Sequence, residues 1–503
     1  MYLSKSEYCE LWQCVKLFWL SKFKPELARC DGSADKRFST GTEVGELAKG
    51  LFGAFSDATV LDGDGKPDIA AMLEKTGSLL SAETENICEA AFSFDGLYCA
   101  VDILRNQDGG YAVYEVKSST HLNYIYIADV AYQAYVLAKC GVKITGTYLV
   151  NIDSSYVFDG TLDIHKLFKI TDIGAQVREE LQNVDGNLAA ARRALSAGVE
   201  PIVTVGTHCT SPYACPFFGY CTAGLTSPSV FDLYGMAAKD KFELYNAGFR
   251  SLDSVAACGR SLNAKQRRQI EYSSRTDAYA DADGIASFLD KLSYPLYFLD
   301  FETMQLAVPE FAGTSPYAQI PFQYSLHFIE REDGELNHKE FLADAVGDPR
   351  RALAARLCED IPVGACVLAY NKSFECARIR ELARMFDDLA PHLLGIEKNI
   401  VDLIEPFRNG WYYTGAMGGS FSIKSVLPAM FPDEPELDYG NLTGVRNGAE
   451  AMSAFPTIKN LPPDEALAVR ASLLRYCALD TYAMVAVWRK LKSIAESNRS
   501  TAA

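Results

Sequence analysis

Apolar and polar positions change their period several times along the chain. Leu97 to Leu104 and Tyr111 to Ser118 are β-rich segments flanking Asn106-Gln107-Asp108-Gly109-Gly110. An Asp-Gly pair between apolar runs is a strong hairpin signal, because both central positions of a two-residue turn need positive φ. The run Asp129 to Tyr135 reads as helix. Residues 226–285 read as purely helical, with short helices Asp240 to Asn246 and Ser251 to Cys258 joined at Ala247-Gly248-Phe249. From Tyr294 onward strand and helix signals alternate, starting with Leu296-Tyr297-Phe298-Leu299 and ending in a long helix from about Asp464 to Ser493. The class expected is α/β, without internal repeats or low-complexity tracts.

A chain of 503 residues exceeds one compact core. The reading is three parts and a tail: 1–225, a helical linker 226–285, 286–495, and 496–503. Hydrophobic residues make up 49% and charged residues 22%, so both large parts are expected to fold. Charges interrupt every apolar run before the roughly 18 residues a membrane span needs, and Met1 to Lys24 lacks the build of a secretory signal. The expectation is a cytoplasmic protein with no membrane partner. In a reducing compartment its 14 cysteines are explained by metal ligation, burial or catalysis rather than disulfides. A net charge of −17 argues against general coating of nucleic acid, but centres that hold Mg²⁺ or Mn²⁺ are themselves acidic.

If Asp108 and Gly109 form the turn, Asp102 falls opposite Glu115; a turn one residue later places it opposite Lys117. Glu115 and Lys117 project to the same face of their strand, with Val113 and Val116 supplying apolar surroundings. Facing carboxylates repel unless a cation compensates. With a lysine alongside, this is the minimum apparatus for metal-assisted phosphodiester hydrolysis. The plain alternative is a solvated hairpin face with surface salt pairs.

Asp102, then Glu115-Val116-Lys117, then Gln133 resembles the RecB-like branch of the PD-(D/E)xK nucleases. The resemblance implies a restriction-endonuclease-like fold in which the aspartate and glutamate hold metal, the lysine assists the nucleophile and the glutamine follows on the next helix. An upstream helix usually adds a His or Glu. Gly41-Thr42-Glu43-Val44-Gly45-Glu46 lies there, with Gly45 at the usual His position and Glu46 as the candidate ligand.

Cys209, Cys215 and Cys221 recur every six residues in a loop broken by proline and glycine, which no helical stripe explains. They read as ligands wanting a fourth. Cys14 offers one, with Cys9 and Cys30 as alternatives, whereas Cys140 and Cys366 read as small core residues. Four thiolates suit zinc or an iron–sulfur cluster. One cysteine before the nuclease core and three after resembles the iron–sulfur exonucleases of the RecB-like branch, including CRISPR-associated and AddB-type enzymes. That resemblance implies a [4Fe–4S] cluster on Cys14, Cys209, Cys215 and Cys221, stapling the domain's ends.

A second acidic group begins where Leu296–Leu299 runs into Asp300-Phe301-Glu302, expected at the strand's end. Tyr476 and Asp480 are four apart on the last helix and share a side. Between them Asn371-Lys372-Ser373-Phe374-Glu375 follows a short apolar strand, and Asp402 is a spare acid. The order resembles the DEDD exonucleases of ribonuclease-H-like fold, in the subgroup with tyrosine in the last motif. It implies metal binding by Asp300, Glu302 and Asp480, with Tyr476 orienting water. The family's middle motif carries Asp where this chain has Glu375.

The combination, with a helix–hairpin–helix-like linker, resembles a group of bacterial predicted nucleases. It implies an exonuclease acting on DNA more readily than RNA, in repair, recombination or defence. A Gly-x-x-x-x-Gly-Lys loop is missing, so unwinding would need a separate helicase. The alternatives are an RNA-processing exonuclease using the C-terminal part, and a nucleic-acid-binding or scaffold subunit with remnant sites.

Overall fold

The computed structural model describes residues 2–29 and 33–502, so Cys30 lies outside the described residues. The chain is mixed α/β and divides into two compact units, one of residues 1–224 and 306–317, the other of 225–305 and 318–503. The segment 226–285 therefore groups with the second unit. The stretch 306–317, which leaves the second unit's sheet between two paired strands, groups with the first.

The first unit holds a six-stranded sheet ordered as in sequence: β1 (Ser56–Asp57), β2 (Asn86–Phe94), β3 (Leu97–Gln107), β4 (Gly110–Lys117), β5 (Ile144–Ile152) and β6 (Phe168–Asp172). Sequence reading found only the β3–β4 pair. Its turn is the two-residue kind: Gln107 pairs with Gly110, and Asp108 and Gly109 have φ of 54° and 70°. β4 and β5 are parallel, and the helix Tyr124–Lys139 lies between them in the chain. Val101, Leu104 and Val113 share a core with Ala128, Val130 and Ala131 of that helix, so the sheet buries this face against it.

Strand alternation breaks at one place. Cys88 pairs with Ile103 and Ala90 with Val101, but Glu89 and Asp102 between them are not paired, and Glu89 has φ of 52°. Leu97, Cys99 and Val101 face the helix-covered core, as does Leu104, whereas Ile103 faces the opposite one. The parity change is centred on Asp102.

The second unit holds a five-stranded sheet of β7 (Leu296–Met304), β8 (Ile320–Ile329), β9 (Asn337–Leu342), β10 (Cys366–Ala369) and β11 (Ile400–Asp402). In space the order is β9-β8-β7-β10-β11. β8 is antiparallel to β7 and β9, and β10 and β11 continue parallel to β7. The central strand is apolar on both faces, as burial from both sides requires. Tyr297, Leu299 and Phe301 pack with Leu353, Ile379 and Leu382 on one side; Leu296 and Phe298 pack with Ala483, Val487 and Leu491 of the helix Pro463–Ala502 on the other.

Several sequence expectations need correction. β7 does not stop at Asp300 but runs through Met304, with an irregular register between Glu302 and Thr303. The segment 226–285 is not purely helical: besides helices Ala238–Asn246, Leu252–Ala256 and Ala264–Tyr272 it contributes Ala278–Ala280, paired with Tyr412–Thr414. The last helix continues to Ala502, through most of the supposed tail. Cys140 is exposed, since it caps the helix Tyr124–Lys139, whereas Cys366 is buried. Among the described residues no helix is long and apolar enough to cross a membrane.

Candidate functional site

In the first unit the hairpin register carries Asp102 in line with Glu115, one position past the last paired residues, Ile103 and Tyr114. The Asp102 carboxylate accepts from the Val116 N–H at 2.7 Å, in place of a strand hydrogen bond. Gln133 and Asp129, four apart on their helix, face the same point. Gln133 Nε2 donates to Glu115 at 2.7 Å and to Asp129 at 2.9 Å. Lys117 Nζ donates to Glu115 at 2.6 Å and to Asp129 at 2.8 Å. The structure thus brings Asp102, Glu115, Lys117 and Gln133 together.

Sequence reading missed two members. Asp129 was only part of a helix. Lys5, near the start of the helix Lys5–Gln13, places Nζ 3.1 Å from Asp102 and 3.2 Å from Glu115. Its position is set by a capping box: Ser4 accepts from the Glu7 N–H while Glu7 accepts from the Ser4 N–H. Burial opposes ionisation of Glu115, but Lys117, Lys5 and Gln133 outweigh it and hold its carboxyl below the ordinary range. Burial and the Glu115 charge raise Asp102 and Asp129. Glu89, across the kink from Asp102, is pushed up to about 7, first by burial and then by Asp102.

Glu46 does not join this set. Its side chain is 64% exposed and pairs with Lys49, which also binds Asp57. Its helix turns Val44 into the core, which leaves Glu46 at the solvent side.

The cysteines converge. Cys14 interrupts two helices, Lys5–Gln13 and Val15–Phe23, with extended backbone at φ −166°. Cys14, Cys209, Cys215 and Cys221 line one small cavity with Leu17, Leu20 and Phe217. Gln13 fastens the cysteine loop by donating to the His208 and Tyr213 carbonyls, both at 2.8 Å. Burial pushes the Cys215 thiol up to about 11, and the other three cysteines add to the shift. Cys9 faces elsewhere, toward Asp129 and Lys117.

In the second unit Asp300 and Glu302 project from β7 to the face covered by the last helix, where Cys477 approaches them. One ligand-capable atom from each of the three lies within 4.8 Å of the other two. The sequence held no signal for Cys477 beyond its place between Tyr476 and Asp480. Asp480 accepts hydrogen bonds from Tyr476 and, at 2.6 Å, from Tyr439, another residue sequence reading missed. Burial and mutual repulsion with Asp480 raise Asp300 and Glu302 well above the carboxylate range. Glu375 is buried and pushed up to about 8, chiefly by burial, and its Oε2 has no hydrogen-bond partner among the described residues. Its charge reaches Asp300. Asp402 is occupied otherwise, accepting from the Asn371 and Ile404 N–H groups.

These carboxylates fit a divalent cation, because an unpartnered buried oxygen and mutually raised acids are what a missing positive charge leaves behind. The first set also offers oxygens, but its charge is largely answered by Lys5 and Lys117.

Comparison with known proteins gives similarity without an activity. Residues 297–422 match the family described as a domain of unknown function (DUF2779), a span holding Asp300, Glu302 and Glu375 but not Asp480. The chain is 27% identical over 239 residues to the "Uncharacterized protein MG366 homolog" of Mycoplasma pneumoniae, covering 42% of this chain and 35% of that one. It is 26% identical over 236 residues to "Uncharacterized protein UU173" of Ureaplasma parvum, covering 41% and 32%. The chain thus spans about a third of the length of these relatives. No solved structure was found to match. By sequence, then, residues 297–422 are similar to a family of unknown function, and that span carries three acids of the second centre.

Proposed function

We propose that this chain is a metal-dependent nuclease with two acidic centres, one in each unit, acting on DNA. The observation that carries the reading is the approach of Asp300, Glu302 and Cys477 to one another at the sheet face, with the charges of Asp480 and Glu375 acting on both acids and no ion pair to these carboxylates among the described residues. The strand order supports a ribonuclease-H-like fold for that unit, because numbering its strands 1 to 5 gives 3-2-1-4-5 with strand 2 antiparallel. In the first unit, a helix, three antiparallel strands, the helix Tyr124–Lys139 and a parallel strand support the restriction-endonuclease-like reading.

A cation held by Asp300, Glu302 and Asp480 would supply charge stabilisation at the phosphate and a more acidic bound water. The chain's own groups do the positioning. Tyr439 and Tyr476 fix the Asp480 carboxylate by donating to it. Lys424 lies over both tyrosine rings, 5.5 and 5.3 Å from their centroids, where its charge acts on Glu302 and Asp480. In the first centre Lys117 is held by Glu115 and Asp129 at hydrogen-bond distance, so a phosphate oxygen there would meet a fixed ammonium.

Cys14, Cys209, Cys215 and Cys221 would hold a [4Fe–4S] cluster that joins the two ends of the first unit and contributes its binding energy to folding.

The test is cleavage of end-labelled single- and double-stranded DNA and RNA by anaerobically purified protein with Mg²⁺ or Mn²⁺, comparing wild type, Lys117→Ala and Asp300→Asn. Loss of cleavage in Asp300→Asn is expected. A wild type that binds strands and cuts none would overturn the enzyme reading.

A further inference from the structure

A cavity of about 700 Å³ opens in the second unit beside the acidic centre. Tyr234, Tyr370 and Phe421 line it, together with Arg408, Ser422 and Lys424. Tyr234 and Phe421 form one aromatic wall, with ring centroids 4.7 Å apart. Both are held from behind. The Tyr234 N–H donates to Gln269 at 2.7 Å and its carbonyl accepts from Gln266 at 2.9 Å, while Tyr370 Oη donates to the Phe421 carbonyl at 2.7 Å. Arg408 is 49% exposed while it donates to Asn371 Oδ1 at 3.0 Å and lies 3.8 Å from Asp402, which orients its guanidinium at the rim. Lys424 belongs to both places, lining the cavity while its charge reaches Glu302 and Asp480. Asn371, also on the cavity wall, opens the turn that leads to Glu375.

We infer that this groove binds single-stranded nucleic acid and delivers it to the acidic centre, so the inference rests on the nuclease reading of that centre. Rigid aromatic faces take bases of any sequence by stacking. Arginine and lysine at the rim answer the phosphates between those bases, a local sign opposite to the chain's net charge of −17. A duplex presents no free base faces, so it lacks the groups the wall would hold. Tyr234 comes from a turn in the segment 226–285, which thereby acquires a part in substrate binding.

The experiment is fluorescence anisotropy of labelled dT, rU and hairpin-duplex oligonucleotides with the full-length protein in EDTA, where binding is read without cleavage. Wild type should prefer the single strands, and the dT and rU arms decide which sugar is favoured. Phe421→Leu combined with Tyr234→Leu keeps apolar bulk but removes the aromatic faces, and should weaken strand binding about ten-fold or more. Arg408→Gln, at an exposed position, should flatten the plot of log affinity against log salt by about 0.7 if it answers one phosphate. Circular dichroism melting checks that each variant is folded. Single-strand binding unchanged in both variants, or a wild type that binds the duplex as well as the strands, would overturn the groove. Hydrolysis of bis(p-nitrophenyl) phosphate by wild type with Mn²⁺ tests the acidic centre separately. Were that hydrolysis absent while strand binding still followed the aromatic wall, the nuclease reading would fall and the groove would stand.

Discussion

The two acidic centres are built from the same parts and answer their charge in opposite ways. In each, strand carboxylates face a helix that adds polar groups four residues apart, Asp129 and Gln133 in one and Tyr476 and Asp480 in the other. The first carries its own counter-ions, Lys5 and Lys117, both within 3.2 Å of Glu115, and that carboxyl is held low. In the second, no lysine or arginine among the described residues closes an ion pair with Asp300, Glu302 or Asp480. Their acidities move the other way. At Glu115 the first centre's charge is therefore answered by the chain's own lysines, although Asp102 and Asp129 beside it are raised. In the second, the raised acids make ionisation costly to the fold, which a bound cation would relieve.

The largest effect expected from this contrast is on hydrolysis. Asp300→Asn removes a metal oxygen and should lower cleavage of end-labelled strands roughly a thousand-fold, the scale of several kcal/mol of lost charge stabilisation. The same variant in EDTA should be more stable than wild type by about 1 kcal/mol in urea unfolding, because a buried acid that repels its neighbours is gone. A variant both inactive and destabilised would break the contrast. Lys5→Ala should do the reverse in the first unit. Removing one partner of a buried charge network leaves carboxylates uncompensated and should cost about 3 kcal/mol. Hydrogen exchange of peptides from 97–117 reads that loss locally, and unchanged protection there would show that Lys5 is dispensable.

The contrast was only half legible in the sequence. The Asp108-Gly109 turn is local chemistry, and once it is fixed, the alignment of Asp102 with Glu115, one position past the last paired residues, follows from counting. The same holds for Tyr476 and Asp480, set by helical period. Lys5 stands 97 residues from Asp102, with nothing in its own neighbourhood to mark it. Glu89 needed the kink opposite Asp102, which alternation along one strand does not announce. Tyr439 opens a three-residue 3-10 helix, too short for any period to announce it. Cys14 and Cys9 were indistinguishable by spacing, and what separates them is the helix break at Cys14. Glu46 was placed by analogy of position, but its helix turns a different face inward.

A middle-sized effect concerns cations and pH. Asp300 and Glu302 are raised in the folded protein, so the fold binds more protons than the unfolded chain once pH exceeds the ordinary carboxylate range. Its stability in EDTA should then fall as pH climbs from about 4 toward 8. Mn²⁺ bound there should replace those protons, and its stabilisation should grow across the same window, reaching about 2.7 kcal/mol at a hundred-fold excess over Kd. Thermal melts at pH 5.5 and pH 8, with and without Mn²⁺, measure this. Equal gains at both values would mean that the acids of the second centre are ionised throughout and that the contrast with the first is overstated.

The smallest effect isolates Glu375. Its Oε2 has no hydrogen-bond partner among the described residues, and its carboxyl is pushed up to about 8. At neutral pH and without a cation it should therefore be mostly protonated, and a glutamine of the same shape imitates that form. Glu375→Gln should leave the urea midpoint in EDTA within a few tenths of a kcal/mol, since no ionic partner is lost. What remains is its reach toward the cation. If its longer side chain stays at the rim of the site, cleavage should fall less than ten-fold; if it ligates the cation, cleavage should fall as far as in Asp300→Asn. A ten-fold ceiling would make the second centre a three-acid site, complete on Asp300, Glu302 and Asp480, and would leave Glu375 as the residue that keeps the empty site from carrying a fourth charge.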